Sequence, residues 1–356
     1  MTTASPSATP PTEAPLPART ASALWRYVLA QRSTTPAYLE EQSEGWRDVS
    51  WEEAGERVEA LAHALLAHGV GRGDAVAVIA RSRLEWVLLD WAVMTIGAVV
   101  VGIYPTSTAT ECAYILGHSE SVLAFAEDEA QREKLASVHE ETPVLRELFR
   151  FDELPALEVE GRTYAAAHPG VLDEAAREIQ EDDLGTLIYT SGTTGPPKAC
   201  MLTHRNLVTA AVRVRTSLED GSDVILLFLP LAHTFGRLAH QAAAYSGSTV
   251  AFVAEATRVG EALGAVHPTI LPAVPRIYEK IHSGVLEQIE SAGGAKRSIG
   301  LWALGVGAQA SRLRLINSRE GLRGKRGSRW NLRRPRLSHT FLIGGDSRRD
   351  YPYNLL

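Results

Sequence analysis

Apolar positions along the chain recur in two rhythms that alternate at short intervals, one with the period of a helix and one with the continuity of a buried strand. Ser50-Trp51-Glu52-Glu53 has the form of a helix-opening capping box, and Val58, Leu61, Ala62, Leu65 and Leu66 follow at helical spacing up to Gly69. Residues 74–79 then read as a buried strand, 84–94 as a helix and 98–103 as a second apolar strand. A helix over 110–117 and a strand over 122–126 continue the series. After strands at 184–189 and 199–202 come a helix at 206–214, a strand at 224–229 and a helix at 238–245. A strand at 249–253, a helix at 259–266, a strand at 269–271 and a helix at 276–289 complete it. Helices interleaved with strands in this way predict an α/β fold, with parallel or mixed sheets covered by helices. Such sheets bind ligands beyond the carboxyl ends of their strands.

Composition adds limits to that picture. The chain has 356 residues, 45% of them hydrophobic, enough for a sizeable core divided into two or three subdomains. No stretch has the 18 or more apolar residues of a membrane span. Residues 1–18 are rich in Pro, Thr, Ser and Ala and lack the basic start and apolar centre of a signal peptide, so a disordered tail is expected there. Cys112 and Cys200 lie far apart in apolar contexts. Both are expected to be reduced and buried, which points to a cytoplasmic protein. The net charge of −6 hides an asymmetry: residues 301–356 hold 12 Lys/Arg against 3 Asp/Glu, and the other 300 residues hold 24 against 39.

The densest chemistry lies in Tyr189-Thr190-Ser191-Gly192-Thr193-Thr194-Gly195-Pro196-Pro197-Lys198, where seven consecutive positions are hydroxyl-bearing or Gly and a lysine follows. Glycine lets such a loop bend back upon a ligand, and successive backbone N–H groups form a concave cradle for anions. The hydroxyls add donors, and Lys198 adds a point charge suited to phosphate. A loop that grips phosphate between two strands is the inference. It is not a Walker A loop, which needs Gly-Lys-Ser/Thr at the opening of a helix.

The segment Tyr189 to His204, YTSGTTGPPKACMLTH, resembles the ATP-phosphate loop of the adenylate-forming superfamily. Three further segments resemble the long-chain fatty-acid–CoA ligase branch: GIYPTS at Gly102, LPLAHTFGR at Leu229 and PAVPRIYEK at Pro272. The resemblance implies the large N-terminal domain of the adenylate-forming fold over residues 19–310, incomplete and without the small C-terminal domain, as in a chain truncated after its N-terminal half. It implies activation of a long-chain fatty acid through an acyl-adenylate, with ATP, Mg²⁺ and coenzyme A. Thr190, Ser191, Gly192, Thr193, Thr194, Gly195 and Lys198 would embrace the phosphates, with the Thr190 hydroxyl near Mg²⁺. His233, with Lys198 a catalytic candidate, would sit beside the carboxylate and the pantetheine channel. Phe235 and Arg237 would lie at the mouth of the acyl pocket. Fatty acid, ATP and coenzyme A are the implied partners, with peripheral contact at a membrane compatible with a lipid substrate. The family's magnesium-binding Glu, ribose-binding Asp and catalytic Lys have no counterpart in the chain, so a non-catalytic nucleotide- or acyl-binding fragment is the alternative.

Residues 311–356 form a basic segment that the resemblance does not cover. The run 312–336 contains ten Lys/Arg and one acid. A patch for an anionic polymer or membrane is one reading. Inside that run only Trp330 could stack on a base, so nucleic acid is not an expected partner. A solvated, irregular end fits the composition better. The out-of-frame product of a GC-rich gene is a third reading, since such products are rich in Arg and Gly.

Overall fold

The computed structural model describes residues 18–323 apart from 32–34, 44, 191–195, 216–217 and 219–220. Most of the tail expected to be disordered over 1–18 and of the basic segment 311–356 therefore lies outside the described residues, as does the centre of the phosphate loop.

The chain opens with helix α1 (Ala21–Ala30) and a hairpin, β1 (Tyr38–Gln42) and β2 (Gly45–Val49), followed by α2 (Trp51–Ala67). Strand–helix alternation begins at β3 (Ala75–Ile79), α3 (Leu84–Thr95), β4 (Val99–Ile103), α4 (Ala109–Ser119) and β5 (Ser121–Ala126). It continues through α5 (Glu129–Ala136), β6 (Glu147–Arg150), α6 (Leu154–Ala167) and α7 (Val171–Glu178). A second hairpin, β7 (Leu184–Thr190) and β8 (Lys198–Thr203), leads into α8 (His204–Arg215), β9 (Val224–Leu227), α9 (Thr234–Ser246) and β10 (Thr249–Phe252). Helices α10 (Val259–Val266), α11 (Pro275–Ser291) and α12 (Gly294–Arg323) follow. The expected strand at 269–271 is reduced to a single bridge between Ile225 and Ile270. Helix α12 runs to Arg323, into the first part of the segment read as irregular. Leucine, arginine and glutamate at 313–323 are good helix formers, so the local preference there is helical.

The strands form two mixed sheets. Six are ordered β6-β5-β3-β4-β7-β8, all parallel except for β8, which runs antiparallel to β7. Four are ordered β2-β1-β10-β9, with β2 antiparallel at one edge and the rest parallel. Ser50 caps α2 as its sequence predicts, its Oγ accepting the Glu53 N–H at 3.0 Å. Thr203 and Asn206 cap α8 reciprocally, Thr203 N–H donating to Asn206 Oδ1 and Asn206 N–H to Thr203 Oγ1.

The core centres on α3. Every residue of this helix is buried except Glu85, as expected of a helix that is apolar all round. Trp91 on α3 stacks on Trp25 of α1 with ring centroids 4.9 Å apart. Cys112 is buried as expected, and burial pushes its thiol up to about 11. Cys200 departs from expectation. It lies exposed on β8, because an edge strand has a face that no neighbouring element covers. Among the described residues no helix is long and apolar enough to cross a membrane.

Two histidines are enclosed in this core. His204 Nδ1 accepts the Ala21 N–H at 3.2 Å, which leaves no lone pair there for a proton. Burial lowers its pKa to about 4, partly opposed by the charge of Asp183. His240 Nε2 shares a 3.1 Å hydrogen bond with Tyr38 Oη, and burial, aided by the Arg237 charge, lowers its pKa to about 3. An unfolded histidine titrates near 6.5. As pH falls from about 6.5 to 4 the unfolded chain therefore takes up protons that the folded chain refuses, and stability falls by roughly 1.4 kcal/mol per pH unit for each ring. Urea midpoints measured between pH 7 and 5 are expected to decline steeply, with His204→Gln removing one proton's share of the slope. A pH-independent midpoint would contradict the burial of both rings.

Candidate functional site

The first arm of the site is the β7–β8 hairpin. Strand β7 is held on one side by β4 and on the other by β8, and Thr190 at its exposed carboxyl end stands in register with Lys198 at the start of β8. The strand pairing thus brings two sequence-predicted phosphate ligands together, and five of the seven residues between them, Ser191 to Gly195, lie outside the described residues. Tyr189 is anchored just before the loop, its Oη bonded to His118 Nδ1 at 2.8 Å with the two rings edge to face. Burial pushes the Tyr189 phenol up to about 12, so it stays neutral. Deeper in β7, Thr186 Oγ1 donates to the Val100 carbonyl of β4 at 2.6 Å.

The second arm leaves β9 and enters α9. His233 is the N-cap of α9, its Nδ1 accepting the Phe235 N–H at 3.2 Å. That bond fixes the tautomer of the neutral ring, with the proton on Nε2. The ring is exposed, so it can offer this N–H donor to a ligand. Ser82, just past β3, donates its Oγ hydrogen to the Leu229 carbonyl at 2.6 Å and ties this arm to the larger sheet.

Gly102 on β4 joins the two arms. A Cβ at this position would lie 2.7 Å from the Cα of Ala232, the neighbour of His233. On its other side Gly102 stands in register with Ile188 of β7, two residues before Thr190. The carboxyl ends of β3, β4, β7 and β9 therefore share one edge, and that edge carries Thr190, Lys198 and His233. The following turn is pinned by Lys134, whose Nζ donates to the Pro105 carbonyl at 2.7 Å. A cavity of about 310 Å³ among α1, α2 and α7, lined in part by Trp25, Leu29 and Thr95, shares no lining residue with either arm.

Two predicted substrate contacts fare differently. Phe235 is half-buried and packs against the core from the first turn of α9. Arg237, expected at the mouth of the acyl pocket, is buried in the core. Its side chain is 2% exposed, and its guanidinium donates to Asp90 of α3 and Thr186 of β7, with the Trp86 ring face 5.4 Å away. A helix turn separates it from His233, and that rotation carries it from the strand-end edge into the core. Burial pushes the Asp90 carboxyl above the usual carboxylate range, against the pull of the Arg237 guanidinium. Asp90 and Thr186 were not candidates on sequence. The one available signal was an acid in the middle of an otherwise apolar helix, since such a charge must find a partner.

Known proteins place the chain among its relatives. The profile of the AMP-binding enzyme family matches residues 25–344. The long-chain-fatty-acid–CoA ligase FadD15 of Mycobacterium tuberculosis is 36% identical over 254 residues, which is 70% of this chain and 42% of that protein. The peroxisomal long chain acyl-CoA synthetase 6 of Arabidopsis thaliana is 29% identical over 263 residues, 70% of this chain and 37% of the relative. The chain thus spans about two fifths of the length of these proteins. Among solved structures, the N-terminal domain of FACL13 from Mycobacterium tuberculosis superposes with a TM-score of 0.64 at 24% identity, over 72% of this chain and 63% of that one. VinN in complex with L-aspartate gives 0.62 at 21% identity, over 74% and 69%. At these identities the structural likeness concerns the fold, and it agrees with the mixed sheets described above.

The Gly102 contact yields a direct test. Gly102→Ala forces a methyl into the Ala232 backbone, and overpacking of this kind typically costs about 1–3 kcal/mol. The urea midpoint of the variant is expected to fall accordingly. An unchanged midpoint would show that the two arms are not in close contact.

Proposed function

The chain belongs to the AMP-binding enzyme family, and from that premise we propose that its strand-end site serves the activation of long-chain fatty acids to acyl-CoA through an acyl-adenylate. The observation that supports this reading best is the meeting of the two arms at Gly102, which puts Thr190, Lys198 and His233 on one edge. In this reading the backbone and hydroxyls of Thr190, Ser191, Gly192, Thr193, Thr194 and Gly195 grip the β- and γ-phosphates of ATP. Lys198 supplies the neutralising charge. His233 presents its Nε2 proton to the carboxylate of the fatty acid. Both halves of the reaction depend on positioning and on stabilising charge that develops on oxygen. Phe235, half-buried beside His233, is the residue we assign to the start of the acyl path.

Magnesium fits this donor set only in part. Among the described residues no cluster of three or more His, Cys, Asp or Glu could hold a metal, and the exposed Thr190 hydroxyl is a single neutral ligand. Mg²⁺ commonly binds through one or two protein groups together with substrate phosphates, so it would arrive with the nucleotide. When bound it would neutralise phosphate charge.

Calorimetry of the 356-residue chain with Mg-ATP tests the assignment. Binding is expected, and Lys198→Ala is expected to weaken it about ten-fold or more, equivalent to roughly 1.4 kcal/mol. Absence of heat at millimolar ATP would reject the nucleotide site. Fatty-acid-dependent ATP–pyrophosphate exchange then separates a ligase from a binding module, because ATP binding without exchange would leave nucleotide binding as the function.

A further inference from the structure

Arg237 and Asp90 are 2% and 0% exposed, and they form a charge pair in the middle of an apolar core. Such pairs are poor sources of stability, since apolar groups of similar volume often serve as well or better. This one is also incompletely satisfied, because Arg237 Nε and Asp90 Oδ2 have no hydrogen-bond partner. A buried polar network in that condition is costly, which directs attention to what the pair connects.

We propose that Arg237, held by Asp90, is a positioning residue that couples the phosphate-binding strand β7 to the His233 cap of α9. This inference rests on the nucleotide site proposed above. The guanidinium reaches out in a rigid fork. Nη1 donates to Thr186 Oγ1, and Nη2 donates to Asp90 Oδ1 and lies 3.9 Å from Met94 Sδ. Thr186 is four residues ahead of Thr190 on the same strand. On the other side, the Arg237 N–H donates to the His233 carbonyl at 3.3 Å, so the arginine stands one turn below the cap. A second route closes a ring: Thr186 donates to Val100, Val100 is two residues before Gly102, and Gly102 abuts Ala232 beside His233. Displacement of β7 by a bound phosphate is therefore transmitted to His233 along two paths that share Thr186. The fork is the part of this ring that a lysine cannot supply, because an ammonium lacks the two parallel donors that hold Asp90 and Thr186 at once.

Hydrogen–deuterium exchange of the whole 356-residue chain, with and without Mg-ATP, tests the coupling. In the wild type, nucleotide is expected to slow exchange both in peptides covering β7 and β8 and in the first turn of α9. In the double variant Asp90→Leu/Arg237→Met, whose apolar pair preserves packing, protection of β7 and β8 is expected to persist. Protection of the first turn of α9 is expected to fall at least five-fold. Thr186→Val should have the same effect with both charges in place, and Arg237→Lys should fail to restore the response. A purely structural role would lower protection everywhere or nowhere, with or without nucleotide. Equal nucleotide-dependent protection of α9 in wild type and variants would overturn the coupling, as would protection in the wild type confined to β7 and β8. No protection anywhere in the wild type would overturn the nucleotide site and this inference with it.

Discussion

Enclosing α3 on every side places one carboxylate, Asp90, where water cannot solvate it, and the fold is organised around meeting that demand. A helix whose side chains are apolar all round must be covered by neighbours, here including α1, α2, α7 and β4. The charge in its middle then requires a cation in the same dry interior. Arg237 answers from α9, an element of the other half of the chain, and its guanidinium bonds that helix to α3 and β7, while α9 packs chiefly on α8. His240, three residues on, faces the same interior, where the Arg237 charge and burial together keep it neutral. One electrostatic requirement thus ties α3 and β7 to the helix whose first turn carries His233.

The second organising feature is the shared edge of strand ends. Parallel strands deliver their carboxyl ends to one side of a sheet, and two sheets do so here. Ser82 bonded to Leu229 and Gly102 packed on Ala232 join those ends across the gap between sheets. Strand β8 breaks the parallel order, and that break is useful. An antiparallel hairpin sets Thr190 and Lys198 opposite each other, a hydroxyl in register with an ammonium. Its cost is an edge strand with Cys200 and Met201 uncovered, Met201 at 63% exposure. Exposed apolar residues on a strand edge are a recognised site for further packing.

Much of this was legible in the chain itself. The runs at 74–79 and 98–103 became β3 and β4 because strands buried on both faces read as continuous apolar stretches. The hydroxyl- and glycine-rich loop with its lysine located the first arm, and Ser50 marked a helix start, because these signals act within a few residues. The hairpin of β1 and β2 escaped notice. Its residues are mostly half-exposed, so neither face carries a clean apolar alternation. Helices α6 and α7 escaped for the same reason, with few buried side chains to set a period.

The sequence by itself determined the order and type of the central elements and the family, since each depends on local periodicity or on a contiguous motif. Only the tertiary structure decided where Arg237 points, that Cys200 is exposed, and that His233 caps a helix through Nδ1. Those outcomes depend on groups distant along the chain or on which side of a strand is left uncovered. Asp90 lies 147 residues from Arg237. No local pattern records that two such residues share one dry site, because burial of a charge is settled by the partner that the fold brings to it.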